Sequence, residues 1–238
     1  MRSALAATTA FTCLPAEAEA HKPHVFAEAS VSSAVLDRGE QIGAETLELA
    51  AGFEMPAGGV DLFASVYRLT PLGAGHAAFD EEVDYTLGMV RVSRGYTVSV
   101  AASWLTYPGE GEDPSLEWSG EVIFDLPLGP TVAGFYDADS GDRGAEFLAG
   151  PEWTAGDWTL FATGRVGLVS PGDGSADRSY AGLEASAIRP VSEAAELALF
   201  VRADAADEDS FAGRIEAGEV HGYRATGIAA GIGLSIVR

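Results

Sequence analysis

From Val25 onward the chain repeats one unit: about ten residues in which apolar and polar side chains alternate, then a cluster of turn residues. Thr46-Leu47-Glu48-Leu49-Ala50-Ala51-Gly52-Phe53 shows the alternation, and Glu82-Val83-Asp84-Tyr85-Thr86-Leu87 and Leu116-Glu117-Trp118-Ser119-Gly120-Glu121-Val122 repeat it. Successive side chains of a strand point to opposite faces, so each segment presents one apolar and one polar face. A helix would need apolar residues every three or four positions instead. The pattern predicts about twelve strands, over 25–36, 46–53, 60–68, 82–91, 96–105, 116–126, 131–136, 145–153, 158–168, 180–187, 197–204 and 223–237.

The connectors differ by end. Segments 54–59, 92–95, 127–130, 154–157 and 188–194 are short, whereas 70–80, 106–115, 169–179 and above all 205–222 are longer and more acidic, with 37–45 and 137–144 intermediate. Short periplasmic turns and longer extracellular loops are what an outer-membrane barrel shows. The expected fold is therefore all-β, a transmembrane antiparallel up-and-down β-barrel of about twelve strands with both termini at the turn end. The longest late apolar run, 227–237, falls short of the ~20 residues of a spanning helix.

Parity then assigns the faces. Leu47, Leu49, Ala51 and Phe53 share one face, as do Val83, Tyr85, Leu87 and Met89, and Tyr96, Val98, Val100, Ala102 and Trp104. These are expected to meet lipid, with Phe53, Tyr96, Phe124 and Trp158 near the short turns and Trp104 and Trp118 near the loops as two aromatic girdles. The opposite parity carries Glu28, Glu48, Asp84, Glu117, Glu121, Asp125, Glu146 and Glu184, against Arg165 and Arg202. Such carboxylates would be costly in a dry core and remain hydrated in a wet lumen. A water-soluble sandwich with the same banding is thereby disfavoured. On this assignment Leu49→Arg should destabilise, and Glu48→Gln should be tolerated.

The N-terminus adds context. Arg2, a modest apolar stretch over 4–14 and Ala16-Glu17-Ala18-Glu19-Ala20 read as a secretion signal over 1–20, leaving 21–238 as the barrel. The single cysteine, Cys13, lies inside that signal. With 36 acidic against 14 basic residues, a net charge of −22, the chain would repel nucleic-acid phosphates.

Several short motifs resemble the TorF family of Gram-negative outer-membrane porins. Ser32-Ser33 followed by Arg38-Gly39 looks like its Ser-rich first strand and Arg-Gly signature, Glu82-Val83-Asp84-Tyr85 with Gly88 like its acidic strand motif, and Thr106-Tyr107-Pro108-Gly109 like its Tyr-Pro-Gly strand end. The chain departs from the family at Asp37, where an aromatic is expected, and at Ile236-Val237-Arg238, which lacks a terminal aromatic. The resemblance implies an outer-membrane barrel of porin type.

Few groups suggest further chemistry. Cleavage after Ala20 would expose His21 as a copper-chelating terminus with His24 nearby, although a solvated leader is the simpler reading. Asp137, Asp139 and Asp142 space like half of a calcium loop but lack the distal Glu, and Gly172-Asp173-Gly174-Ser175-Ala176-Asp177 reads alike. An ordinary acidic loop is the default for both. No His was placed on a strand beside Ser33, Ser99, Ser103, Ser119 or Ser186, so a hydrolytic triad finds no support. The function expected is a porin-like passive diffusion channel with a narrow, acidic, cation-preferring lumen. It would contact outer-membrane lipid and small solutes or ions, with no cofactor and no nucleic acid. The alternative is a non-conducting binding or adhesion barrel acting through acidic loops, with 205–222 as plug or contact loop, and a lipid-modifying enzyme comes third. Oligomeric state is not legible.

Overall fold

The computed structural model describes residues 23–73, 78–108, 113–216 and 218–238. The expected signal segment 1–20, His21 and His76 lie outside them. Twelve strands form the wall: β1 (His24–Ser32), β2 (Thr46–Pro56), β3 (Asp61–Pro71), β4 (Glu82–Ser93), β5 (Tyr96–Thr106), β6 (Ser115–Phe124), β7 (Thr131–Asp137), β8 (Arg143–Ala149, continued by Glu152–Ala155), β9 (Trp158–Ser170), β10 (Arg178–Ser192), β11 (Ala195–Ala206) and β12 (Thr226–Val237). Each pairs antiparallel with its chain neighbour, and β1 pairs with β12 from Phe26↔Val237 to Ser32↔Gly231, so the sheet closes on itself. The break in β8 falls at Gly150-Pro151, where proline has no N–H to give the ladder, and the register against β9 continues unchanged across it. Val25 and Arg238 exchange backbone hydrogen bonds at the turn end, where β1 begins and β12 ends.

The twelve strands follow the alternation, with shifted ends: β6 stops at Phe124 rather than 126, β10 runs to Ser192 rather than 187, and β12 begins at Thr226 rather than 223. The first strand ends at Ser32, and Val35–Asp37 with Glu40–Gly43 forms a separate two-stranded hairpin in the first long loop. Ala34, Val35 and Leu36 prolong the apolar content past Ser32, so the sequence alone runs the two together. Closure gives each strand of the wall a partner on both sides, which is what a sheet in hydrocarbon requires, and the Glu152–Ala155 extension of β8 pairs with β9. Leu49, Val66, Leu87, Val100, Leu183 and Ile228 face outward and stay exposed, forming the apolar band. Tyr85, Tyr136, Phe147 and Trp153 also face outward, beside the aromatics expected there.

The inner face holds a feature that parity did not anticipate. Phe26 stands opposite Gly52, Phe63 opposite Gly88, Phe135 opposite Gly144, Phe200 opposite Gly231 and Tyr180 opposite Gly167, each pair in direct cross-strand register. A Cβ at any of these glycines would collide with the ring opposite. Each ring therefore lies along the wall over the bare backbone of the neighbouring strand, covering the hydrogen-bond ladder that glycine leaves unshielded.

Two substitutions separate the faces. Leu49→Arg, mid-band and outward, is expected to lower stability by about 2–4 kcal/mol, and Gly88→Leu, which overpacks Phe63, by about 1–3 kcal/mol. Reversible urea unfolding measures both, and Phe63→Ala in the Gly88→Leu background should recover part of the loss only if the ring is the obstacle.

Candidate functional site at the lumen constriction

The hairpin of residues 33–45 turns inward rather than out. Its tip is Asp37-Arg38-Gly39-Glu40, with Asp37 paired to Glu40 and positive φ at both central residues, 43° at Arg38 and 78° at Gly39. That is the twist a two-residue hairpin needs, and it suits glycine at the second position but strains arginine at the first. The hairpin is bound on both flanks by apolar packing. Val35 and Ile42 bury against Leu69 and Tyr67 of β3, while Ala34 and Leu36 bury against Phe211, Ala229 of β12 and Phe200 of β11. Phe211, from the long loop after β11, is wholly buried.

The tip crosses the lumen. In a ring of twelve, β7 stands opposite β1, and it is on β6 and β7 that Arg38 lands. Arg38 Nη1 donates to Glu117 Oε2 at 2.9 Å and Nη2 to Glu117 Oε1 at 3.1 Å, a two-pronged, charge-assisted pair. The guanidinium carbon lies 3.2 Å from the centroid of the Phe135 ring. Gly39 sits against the Tyr180 side chain with no room for a Cβ. Two of the rings held over wall glycines thus bear the hairpin tip. Arg178 Nε donates to the Arg38 carbonyl at 3.0 Å, and Ser210 Oγ to the Gly39 carbonyl at 2.5 Å.

Around this contact lies an acidic layer. Glu82, Asp84, Glu117, Asp137 and Asp204 are all buried near the loop end of the wall. Glu82 Oε1 and Asp84 Oδ1 have no hydrogen-bond partner among the described residues. Arg202 is taken up by Asp204 at 2.6 Å and Arg165 by Glu184 at 3.1 Å. Glu48 accepts from Tyr67 at 2.8 Å, Ser30 at 3.3 Å and Ser32 at 3.5 Å. Glu48→Gln, expected from parity to be tolerated, would replace one of these acceptor oxygens by an amide donor.

Glu28, Glu48, Asp84, Glu117, Glu121, Glu146, Arg165, Glu184 and Arg202 sit on the less exposed, inner parity of their strands. Asp125 does not. It lies beyond β6, exposed in the short turn 125–130, because β6 ends at Phe124. Phe53, Tyr96, Trp104, Trp118 and Phe124 are exposed on the outer face, while Trp158, on the same parity, is half-buried beneath the Arg189 guanidinium at 5.8 Å. His24 belongs to β1 rather than to a leader, with Nε2 3.8 Å from Glu54 Oε2. Asp137, Asp139 and Asp142 do not converge on a cation site: Asp137 accepts the amides of Asp139 and Ser140, Asp139 that of Leu116, and Asp142 that of Gly172. These carboxylates shape the loop and tie it to its neighbour. Asp173 likewise accepts the Ser175 amide. No group of three or more His, Cys, Asp or Glu among the described residues is placed to hold a metal.

The inward hairpin is the principal element that sequence reading missed. The Arg38-Gly39 dipeptide flanked by Val35, Leu36 and Ile42 carried its signal, since a turn between two apolar runs marks a hairpin.

Among solved structures, the fold is similar to that of an outer-membrane channel from Pseudomonas putida F1, at 7% identity over 91% of this chain and 94% of that one, with a TM-score of 0.51. A bacterial polysaccharide outer-membrane secretin (8% identity, 90% and 97% covered, TM-score 0.47) and OmpT of Vibrio cholerae (6%, 92% and 97%, TM-score 0.44) are also similar. No family model matches the chain, and no curated protein sequence does. At such identities the likeness concerns the fold. A closed antiparallel barrel with an apolar outer band and a polar interior defines an integral protein of the bacterial outer membrane.

Seating of the hairpin should depend on pH through Asp37. Burial pushes its carboxyl up to about 7, against the opposing pull of Arg38 and Arg202 and with Glu40 and Glu117 adding to the rise. A raised acid binds its proton more tightly in the folded state, so its contribution is full below the usual carboxylate range and is lost as pH rises through about 7. Hydrogen exchange over residues 35–43, corrected for intrinsic rate, should show less protection at pH 8 than at pH 5, and Asp37→Asn should flatten the difference.

Proposed function

We propose that the barrel is a passive diffusion channel for small cations, narrowed at its loop end by the inward hairpin. The observation that carries this reading is the imbalance of charge along the inner face. Arg38, Arg165 and Arg202 each have a carboxylate partner, whereas Glu28, Glu121, Glu146, Glu82 and Asp84 form no ion pair among the described residues. Carboxylates in a narrow aqueous passage with low-dielectric walls focus the field, concentrating cations and excluding anions. In this reading the barrel is a conduit rather than an enzyme. The Ser-Ser, Arg-Gly and Glu-Val-Asp-Tyr segments resemble those of the TorF porins, and Arg38, Gly39, Glu82 and Asp84 of those segments lie at the constriction.

One observation favours the second reading, a non-conducting binding barrel. The hairpin spans from β1 and β2 to β6 and β7, and Phe211 buttresses it from the long loop after β11. A seal of that kind would leave the loop end as a binding surface alone.

Planar-bilayer recording of the refolded protein decides between them. In a KCl gradient the reversal potential should take the sign of a cation-selective pore, and it should shrink at high salt as the Debye length falls from ~10 Å at 0.1 M to ~3 Å at 1 M. Glu121→Gln together with Glu146→Gln, both on the wall, should move it toward zero. Chloride preference would overturn the charge argument, and absence of any conductance would favour the binding barrel.

A further inference from the structure

We infer that the barrel wall carries a guanidinium-binding site made by Glu117 and Phe135, that the chain's own Arg38 is its tethered occupant, and that guanidinium-bearing cations are the ligands it takes. The inference deepens the channel reading by naming the class of cation recognised at the constriction, and it rests on that reading only for passage, not for binding.

Both recognition groups belong to the wall and not to the hairpin. Glu117 lies on β6, in register with Ser103 on one side and Asp137 on the other. Phe135 lies on β7, held flat over Gly144, where a Cβ would collide with the ring. The barrel's hydrogen-bond ladder thus fixes the carboxylate and the aromatic face whether or not the hairpin is present. The site is preorganised, so little ordering is needed when a ligand arrives.

The pair selects by shape as well as charge. Two guanidinium nitrogens meet the two oxygens of one carboxylate at 2.9 and 3.1 Å while the flat cation lies 3.2 Å from the ring centroid. A planar fork satisfies both contacts together; an alkali ion or an ammonium group can use the charge but not the fork and the face at once. Glu117 is almost fully buried, and Glu82 and Asp84 lie on the same wall two strands away. Departure is eased by the strained backbone at Arg38, whose φ of 43° relaxes once the tip is free.

The test is chemical rescue in the full-length, refolded protein. Arg38→Ala should lower the thermal unfolding midpoint, and millimolar guanidinium chloride should raise it again where equal tetramethylammonium chloride does not. Calorimetric binding of guanidinium to Arg38→Ala should weaken by about tenfold or more when Glu117→Gln is added, as expected for loss of a charge-assisted two-pronged pair. Arg38→Gln, which keeps the length of the side chain, serves in the same assay where the alanine variant does not refold. Rescue no better than tetramethylammonium gives, or binding indifferent to Glu117→Gln, overturns the site. Guanidinium binding by a barrel that passes no current supports the site and removes the channel reading, whereas current without selective guanidinium binding does the reverse.

Discussion

Hydrocarbon offers no partner to a backbone N–H or C=O, and the rest of this structure follows from that constraint. A sheet in lipid must close, so β1 finds β12 across nearly the whole length of the chain. Closure makes one face lipid and the other water. It also makes every residue of the wall neighbour to something fixed, which is why side chains far apart in sequence, such as Arg38 and Glu117, can meet with the geometry of a designed pair.

The inner face is organised around what glycine leaves open. Five aromatic rings lie across bare backbone on the adjoining strand, and two of them, Phe135 and Tyr180, carry the hairpin tip on their free side. The same residues therefore shield the ladder and form a platform. The packing that stabilises the wall is continuous with the packing that narrows the passage, and a change at Gly144 or Gly167 would be felt at the tip. Charge is arranged in the same economical way. Arg38, Arg165 and Arg202 on the inner face are each bound by a carboxylate.

Much of the wall was legible because period-two alternation survives wherever one face is wet and the other greasy. Glu48 and Leu49, or Glu117 and Trp118, declare their faces by adjacency alone. The hairpin's turn left a signal in the sequence, but its inward course did not. Val35 and Leu36 prolong the apolar content of the first strand, and apolar content records that a segment is buried without recording where it lies. Phe26, Phe63 and Phe200 defeated parity because they point inward, and their justification is a glycine on another strand, visible only once register is known. Asp125 was carried inward by extending the alternation one step past the true end of β6. The run Asp137, Asp139 and Asp142 looked like a cation loop because spacing cannot distinguish a carboxylate that binds a metal from one that binds its own chain's amides.

The hairpin's contacts also carry a sense of time. Arg38 is separated from Glu117 by 79 residues, its carbonyl from Arg178 by 140, and the Gly39 carbonyl from Ser210 by 171. Every anchor of the tip is made later in the chain than the tip itself, and contacts of such long range form late because ordering the chain between them precedes any gain. The hairpin therefore docks only after the second half of the wall stands. Until then the passage is at its widest, and a docked tip marks a barrel whose seam has shut.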